Sequence, residues 1–193
     1  ALFPDARILR LDRDTAARRG HTEQVLRALR DGAVDIVIGT QMVAKGHDFP
    51  GVQLVGVVAA DLGLHMPDFR AAERTFQLLT QVAGRAGRAS RPGHVVVQTF
   101  VPDHYALVPV ATHDYETFYR TELEHRRALG YPPFGLLARV LVHGEDEAET
   151  QAATALLAAA ARESVAAAAG GPPSPIEILG PAPAPIARLR GRH

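Results

Sequence analysis

Short, nearly continuous apolar runs alternate with helix-length amphipathic segments through the first hundred residues, and this alternation limits the fold more than any other feature of the 193-residue chain. Strands covered on both faces read as unbroken β-branched runs, and parallel neighbours need a crossover connection, usually a helix. The pattern therefore predicts an α/β layer on a parallel sheet. Residues 7–11 read as a strand. Residues 21–30 read as a helix with Val25, Leu26 and Leu29 on one face and Gly32 just past its end. Residues 34–38 and 52–58 read as strands covered on both faces, the centre of the sheet. Asp68, after Pro67, is the expected N-cap of a helix whose stripe is Phe69, Ala72, Phe76, Leu79 and Ala83. Its other face carries Arg70, Arg74, Gln77 and Gln81, and residues 93–100 close the layer as a strand.

Beyond residue 100 the pattern changes. Residues 101–130 read as a helical connector, with Tyr105, Tyr115, Phe118 and Tyr119 spaced for packing rather than for stacking on bases. Pro132 and Pro133 exclude helix at 131–135, because proline fixes φ and removes a donor. A second, smaller α+β unit is expected over 131–193. It would hold a half-buried strand at 136–142, a long alanine-rich helix after the acids of 145–149, and short strands at 176–179 and 186–190. No internal repeat is present.

Two segments carry chemistry. In Gly39-Thr-Gln-Met-Val-Ala-Lys-Gly-His-Asp48 a strand ends at a glycine and polar groups follow at its carboxyl end, where open α/β sheets bind ligands. Of 21 basic residues the single lysine is Lys45, inside this segment. Thr40 and Lys45 offer a hydroxyl and an ammonium that could converge on phosphates without reading bases. A Gly/Asp-rich turn after a strand is the plainer alternative. In Gln81-Val-Ala-Gly-Arg-Ala-Gly-Arg88 two glycines allow close backbone approach, and Arg85, Arg88 and Arg91 place three positive charges within seven residues. Guanidinium groups match phosphate oxygens bidentately and stay charged. A solvated basic turn is the alternative here, and the two segments together argue against it.

Composition sets the outer limits. With 47% hydrophobic and 22% charged residues the chain is globular in type. Its 21 basic and 21 acidic residues cancel, so nucleic acid would have to be held by local patches. The absence of cysteine excludes disulfides and thiolate metal sites, and the nine histidines lack helical metal-site spacing, so no metal is expected to be bound. Asp61 and Asp68 are assigned structural roles, as loop aspartates usually cap and turn. No uncharged apolar run approaches the ~20 residues of a membrane span, and a soluble, cytoplasmic protein is expected.

The two segments resemble motifs V and VI of superfamily 2 helicases. The residues between them, Asp61-Leu-Gly-Leu and 67–80, are similar to one family within it, the bacterial replication-restart helicases of the PriA type. The resemblance covers residues 5–100 closely and 115–190 more loosely, through 129–134 and 178–184. It implies that residues 1–100 are most of the second RecA-like helicase lobe of a 3′-to-5′ DNA helicase that restarts stalled forks and helps reload the replicative helicase. ATP would lie against Gly46, Asp48, Gly84, Arg85 and Arg88. Arg85 and Arg88 would act as arginine fingers, and Gln81 would orient the attacking water or the γ-phosphate. Thr40, Gln41 and Lys45 would contact the DNA backbone. The family also implies a zinc-binding insertion, a C-terminal DNA-binding domain, and primosome and single-strand binding proteins as partners near the nucleoid. This chain departs from the family in lacking a phosphate loop, an acidic magnesium box and zinc cysteines, so the first lobe, with most of the ATP and magnesium contacts, is expected upstream of Ala1. Two rivals stay open: a non-hydrolysing primosome scaffold, and another superfamily 2 DNA translocase.

Overall fold

In the computed structural model the described residues are 2–12, 20–40, 52–84, 93–169 and 176–184. They form β1 (Ile8–Leu11), α1 (His21–Arg30), β2 (Ile36–Gly39), β3 (Leu54–Val57), α2 (Ala71–Ala83), β4 (His94–Val97), α3 (Tyr115–Ala128) and α4 (Glu147–Ala169). Two 3-10 turns, Ala60–Gly63 and Val108–Thr112, join them. The chain divides into a unit of residues 1–135 and a second of residues 136–193.

In the first unit every described strand pair is parallel, as the alternation requires. β1 pairs with β2 in the register Ile8 to Ile36, and β3 pairs with β4 in the register Leu54 to His94. The strands expected at the centre of one sheet, β2 and β3, are thus in separate two-stranded ladders. β2 and β3, expected to be covered on both faces, instead leave Ile38 57% and Leu54 64% exposed, and β3 alternates between exposed and half-buried residues. A β-branched run reads alike whether one or both faces are covered, and among the described residues nothing lies over the second face.

α1 turns because Val25 and Leu26 recur on one face and bury there beside Leu11. It ends because Gly32 takes φ +64°, a left-handed conformation that costs a residue with a Cβ about 1 kcal/mol or more. The Gly32 and Ala33 amides then donate back to the Leu29 and Ala28 carbonyls, closing a Schellman motif. Arg7 pins this turn to β1: its guanidinium donates to Asp35 and to the Gly32 carbonyl at 2.7 to 2.9 Å. That contact holds the Asp35 carboxyl well below the usual carboxylate range.

α2 starts later than expected, at Ala71. Asp68 Oδ1 accepts from the Arg70 amide and its carbonyl accepts from the Ala71 amide, so the aspartate closes a turn before the helix instead of capping it. α2 buries Phe76 and Leu79 against Ala60, Ala106, Leu107, Val110 and Phe118, and Thr75 is buried too. The segment expected to connect is therefore packed into this core. Phe76 and Phe118 stack with centroids 4.2 Å apart and planes 4° apart, worth about 0.5–1.5 kcal/mol beyond the area they bury. Tyr105 is partly buried, whereas Tyr115 and Tyr119, expected to pack, stay largely exposed and lie against each other. The helix α3 is capped by Asp114, which accepts from the Thr117 amide, and ends at Gly130 with a second Schellman motif.

In the second unit α4 forms as its alanine content dictates, with Asp146 accepting from the Glu149 amide at its start. Residues 136–142 and 176–179 are not in a ladder among the described residues. Alternation is necessary for a half-buried strand but does not supply a partner, and Leu136, Val140 and Leu141 are all exposed. The strand expected at 186–190 lies outside the described residues. Among the described residues no helix is long and apolar enough to cross a membrane.

Candidate functional site

The parallel ladders of the first unit put the carboxyl ends of paired strands on the same side. Thr40 follows β2 directly and is exposed there, as strand-end chemistry requires. Two residues past the end of β3, Ala59 is held at φ 52°, ψ 53°, a left-handed conformation unusual for a residue with a Cβ. Gln98, just after β4, holds the strained turn at both ends: its side chain accepts from the Ala59 amide at 2.9 Å and its carbonyl from the Ala60 amide at 3.0 Å. The chain is thereby turned from the strand end into the 3-10 turn.

Asp61 is buried in that turn and accepts from the Phe100 amide at 3.2 Å. Burial raises its pKa, yet the hydrogen bonds it accepts and nearby His65 outweigh this and leave it lowered. It ties the end of β4 to the 3-10 turn, which is a structural role. Gly63 lies so close to α2 that a Cβ there would sit 2.5 Å from Thr75 Oγ1, and the buried Thr75 hydroxyl is itself tied to the Ala71 carbonyl. The glycine of Asp61-Leu-Gly-Leu is thus a contact glycine for α2.

The last turn of α2 carries the one sequence-derived catalytic residue that falls among the described residues. Gln81 is exposed there, and Gly84 is the C-cap. An alanine at 84 would meet the Thr80 and Gln81 carbonyls at 3.5 and 3.7 Å, ordinary contact distances, so packing does not demand the glycine. Beside them the buried Thr80 Oγ1 has no hydrogen-bond partner, an uncommon condition for a buried hydroxyl. Gln41, Lys45, Gly46, Asp48, Arg85 and Arg88 lie outside the described residues.

One cluster was not anticipated. Arg126 of α3, with its side chain 13% exposed, donates through Nε to Glu122 Oε1 and through Nη2 to Glu73 Oε2 of α2, each at 2.7 Å. Glu122 also accepts from the Tyr105 hydroxyl at 2.9 Å, and burial together with that carboxylate pushes the phenol upward. Burial lowers the Arg126 pKa, but the two carboxylates more than offset it. Removing the guanidinium would leave Glu122 buried without its counter-charge, at a cost of about 3–5 kcal/mol. The four-residue spacing of Glu122 and Arg126 was visible in the sequence. Glu73, 53 positions away, was not.

With the geometry in place, known proteins can be set beside it. Residues 5–90 match the helicase conserved C-terminal domain, and residues 127–193 match the primosomal protein N C-terminal domain. The chain is 49% identical over 192 residues to the replication restart protein PriA of Bacillus subtilis, covering 100% of this chain and 23% of that protein. It is 45% identical over 197 residues to the PriA protein of Treponema pallidum, covering 100% and 28% respectively. For Synechocystis the figures are 43% over 191 residues, 99% and 22%. The chain belongs to the PriA family of replication restart proteins. The part of its α/β first unit that spans residues 5–90, with its crossover helices, matches the helicase conserved C-terminal domain. The chain spans about a quarter of the length of these PriA relatives.

Proposed function

We propose that this chain is the part of an ATP-dependent 3′-to-5′ DNA helicase that supplies the arginine-bearing half of the ATP site together with contacts to the DNA backbone. The supporting observation is the exposed Gln81 on the last turn of α2, a helix whose other face is fixed in the core and which leads directly into Arg85-Ala-Gly-Arg88. On this reading residues 1–100 form the lobe and residues 131–193 belong to the C-terminal domain. ATP supplies the phosphoryl group to be transferred. Gly84 admits close backbone approach, Arg85 and Arg88 offer forked cations to phosphate oxygens, and Gln81 orients the water or the γ-phosphate. Magnesium needs several oxygens gathered on one ion. By the family resemblance, the ion and most of the phosphate cradle would be supplied by the opposite half of the site.

Thr40, Gln41 and Lys45 would hold the phosphate backbone, giving binding that is blind to sequence. The substrates are then stalled forks and single strands, and the partners are primosome proteins, single-strand binding protein and the replicative helicase being reloaded, in the bacterial cytoplasm. The decisive test is Arg88→Ala in the full-length protein. An arginine finger is worth ~10³–10⁵ in rate, so DNA-stimulated hydrolysis should nearly vanish while nucleotide affinity changes far less. Arg88→Lys should not restore it, because a point charge lacks the fork. Turnover above roughly a tenth of wild type in the alanine variant would refute the assignment, and a full-length wild type with no DNA-stimulated hydrolysis would favour the scaffold that binds DNA without hydrolysis.

A further inference from the structure

Arg126 contacts four separate pieces of the first unit. Besides Glu122 on its own helix and Glu73 in the first turn of α2, its Nη1 donates to the Pro132 carbonyl at 3.3 Å. Its guanidinium also lies 5.1 Å from the ring centroid of Phe69, in the segment that enters α2. The Phe69 ring in turn meets Tyr131 at 5.7 Å. One side chain therefore joins the entry to α2, its first turn, α3 and the Tyr131–Gly135 turn.

The apolar contacts of α2, chiefly Phe76 and Leu79, define which face is buried but resist axial rotation and sliding weakly, since dispersion has little directionality. A charge-assisted hydrogen bond has a preferred length and direction. The bond from Arg126 to Glu73 supplies that constraint at one end of a helix whose other end carries Gln81 and Gly84. Glu73 and Gln81 are eight residues apart, about 12 Å along the axis, and a rod of that length carries a rotation at one end to the other.

We infer that Arg126 is a positioning residue for the candidate ATP-facing site: by gripping Glu73 it sets the rotation and register of α2, and hence where Gln81 is presented. The inference rests on the proposed reading of the α2 end. Only an arginine can meet two carboxylates, a carbonyl and a ring face from one planar group.

The test uses the full-length protein and DNA-stimulated ATP hydrolysis, with kcat and KM for ATP measured separately. Glu73→Gln is the principal variant, because it removes the charge on α2 and leaves the buried Arg126–Glu122 pair intact. Arg126→Lys and the double variant complete a cycle, and Arg7→Met, which breaks the Arg7–Asp35 ion pair beside β1, serves as the stability control. A small misplacement of a reacting group costs up to ~10²-fold, so Glu73→Gln and Arg126→Lys should each lower kcat by about 10-fold or more. KM should stay within about twofold, and the double variant should fall no further than the worse single. Arg7→Met should keep wild-type kcat even where its melting temperature drops as much. Wild-type kcat in Glu73→Gln, additive losses, or an equal loss in Arg7→Met would overturn the inference. Arg88→Ala is measured alongside. If it loses turnover while Glu73→Gln keeps it, the positioning role alone fails; if Arg88→Ala keeps turnover, the reading of the site fails and the positioning role with it.

Discussion

His104 shows how one ring can make a domain sensitive to mild acid. Its Nδ1 accepts from the Ala106 amide at 3.1 Å, so the neutral tautomer with the proton on Nε2 is the one that fits. Burial lowers its pKa below the ordinary 6.5; His125 and His65 lower it further, and Glu122 opposes them. The unfolded chain then takes up the proton before the folded one does. Stability from this group is complete above about pH 6.5 and is lost as pH falls toward the folded value, below which the loss levels off. Thermal unfolding of the chain followed from pH 7.5 to 5 should show the melting temperature falling on acidification. His104→Asn, which can keep an acceptor near Nδ1 without titrating, should flatten that dependence. An identical pH profile in the variant would remove His104 as its source.

At the scale of elements, α2 is positioned by three different kinds of contact: the stacked Phe76 and Phe118, the Arg126–Glu73 ion pair, and the close approach of Gly63 to Thr75. The third makes a sharp prediction. Gly63→Ala would press a methyl group against the buried Thr75 hydroxyl, and overpacking of this sort costs about 1–3 kcal/mol. Thr75→Ala opens the space, so adding it to Gly63→Ala should recover part of the loss and give a non-additive cycle in denaturant unfolding. Additive costs would mean that the two residues do not meet. The glycine is therefore retained for the distance between a 3-10 turn and a helix, and its backbone freedom is not needed there.

For the whole molecule, the chain is part of a larger site on the proposed reading. The sequence contains no Gly-x-x-x-x-Gly-Lys-Ser/Thr phosphate loop, and a finger without the pocket that it serves has no transition state to stabilise. The 193-residue chain purified by itself should release no phosphate from ATP above a buffer blank, with or without single-stranded DNA. Release that DNA stimulates would show that the chain holds a complete site.

What the sequence determined by itself is what lies within about one helical turn or one strand pleat. The limits of α1 at His21 and Arg30 follow from its apolar face and Gly32, and the parallel α/β class of the first unit follows from its alternation. Of the two candidate segments, Thr40 stands at a strand end and Gln81 on an exposed helix end, and the remaining site residues lie outside the described residues apart from Gly84. Tertiary structure alone decided which strands pair, why residues 136–142 form no ladder among the described residues, and that α3 packs against α2 instead of merely connecting. It also decided that Arg126 reaches Glu73 across 53 positions. Periodicity and capping are relations between residues a few positions apart, which a linear string displays. Pairing, stacking and ion pairing depend on which surfaces the folded chain brings together, and the string does not carry those distances.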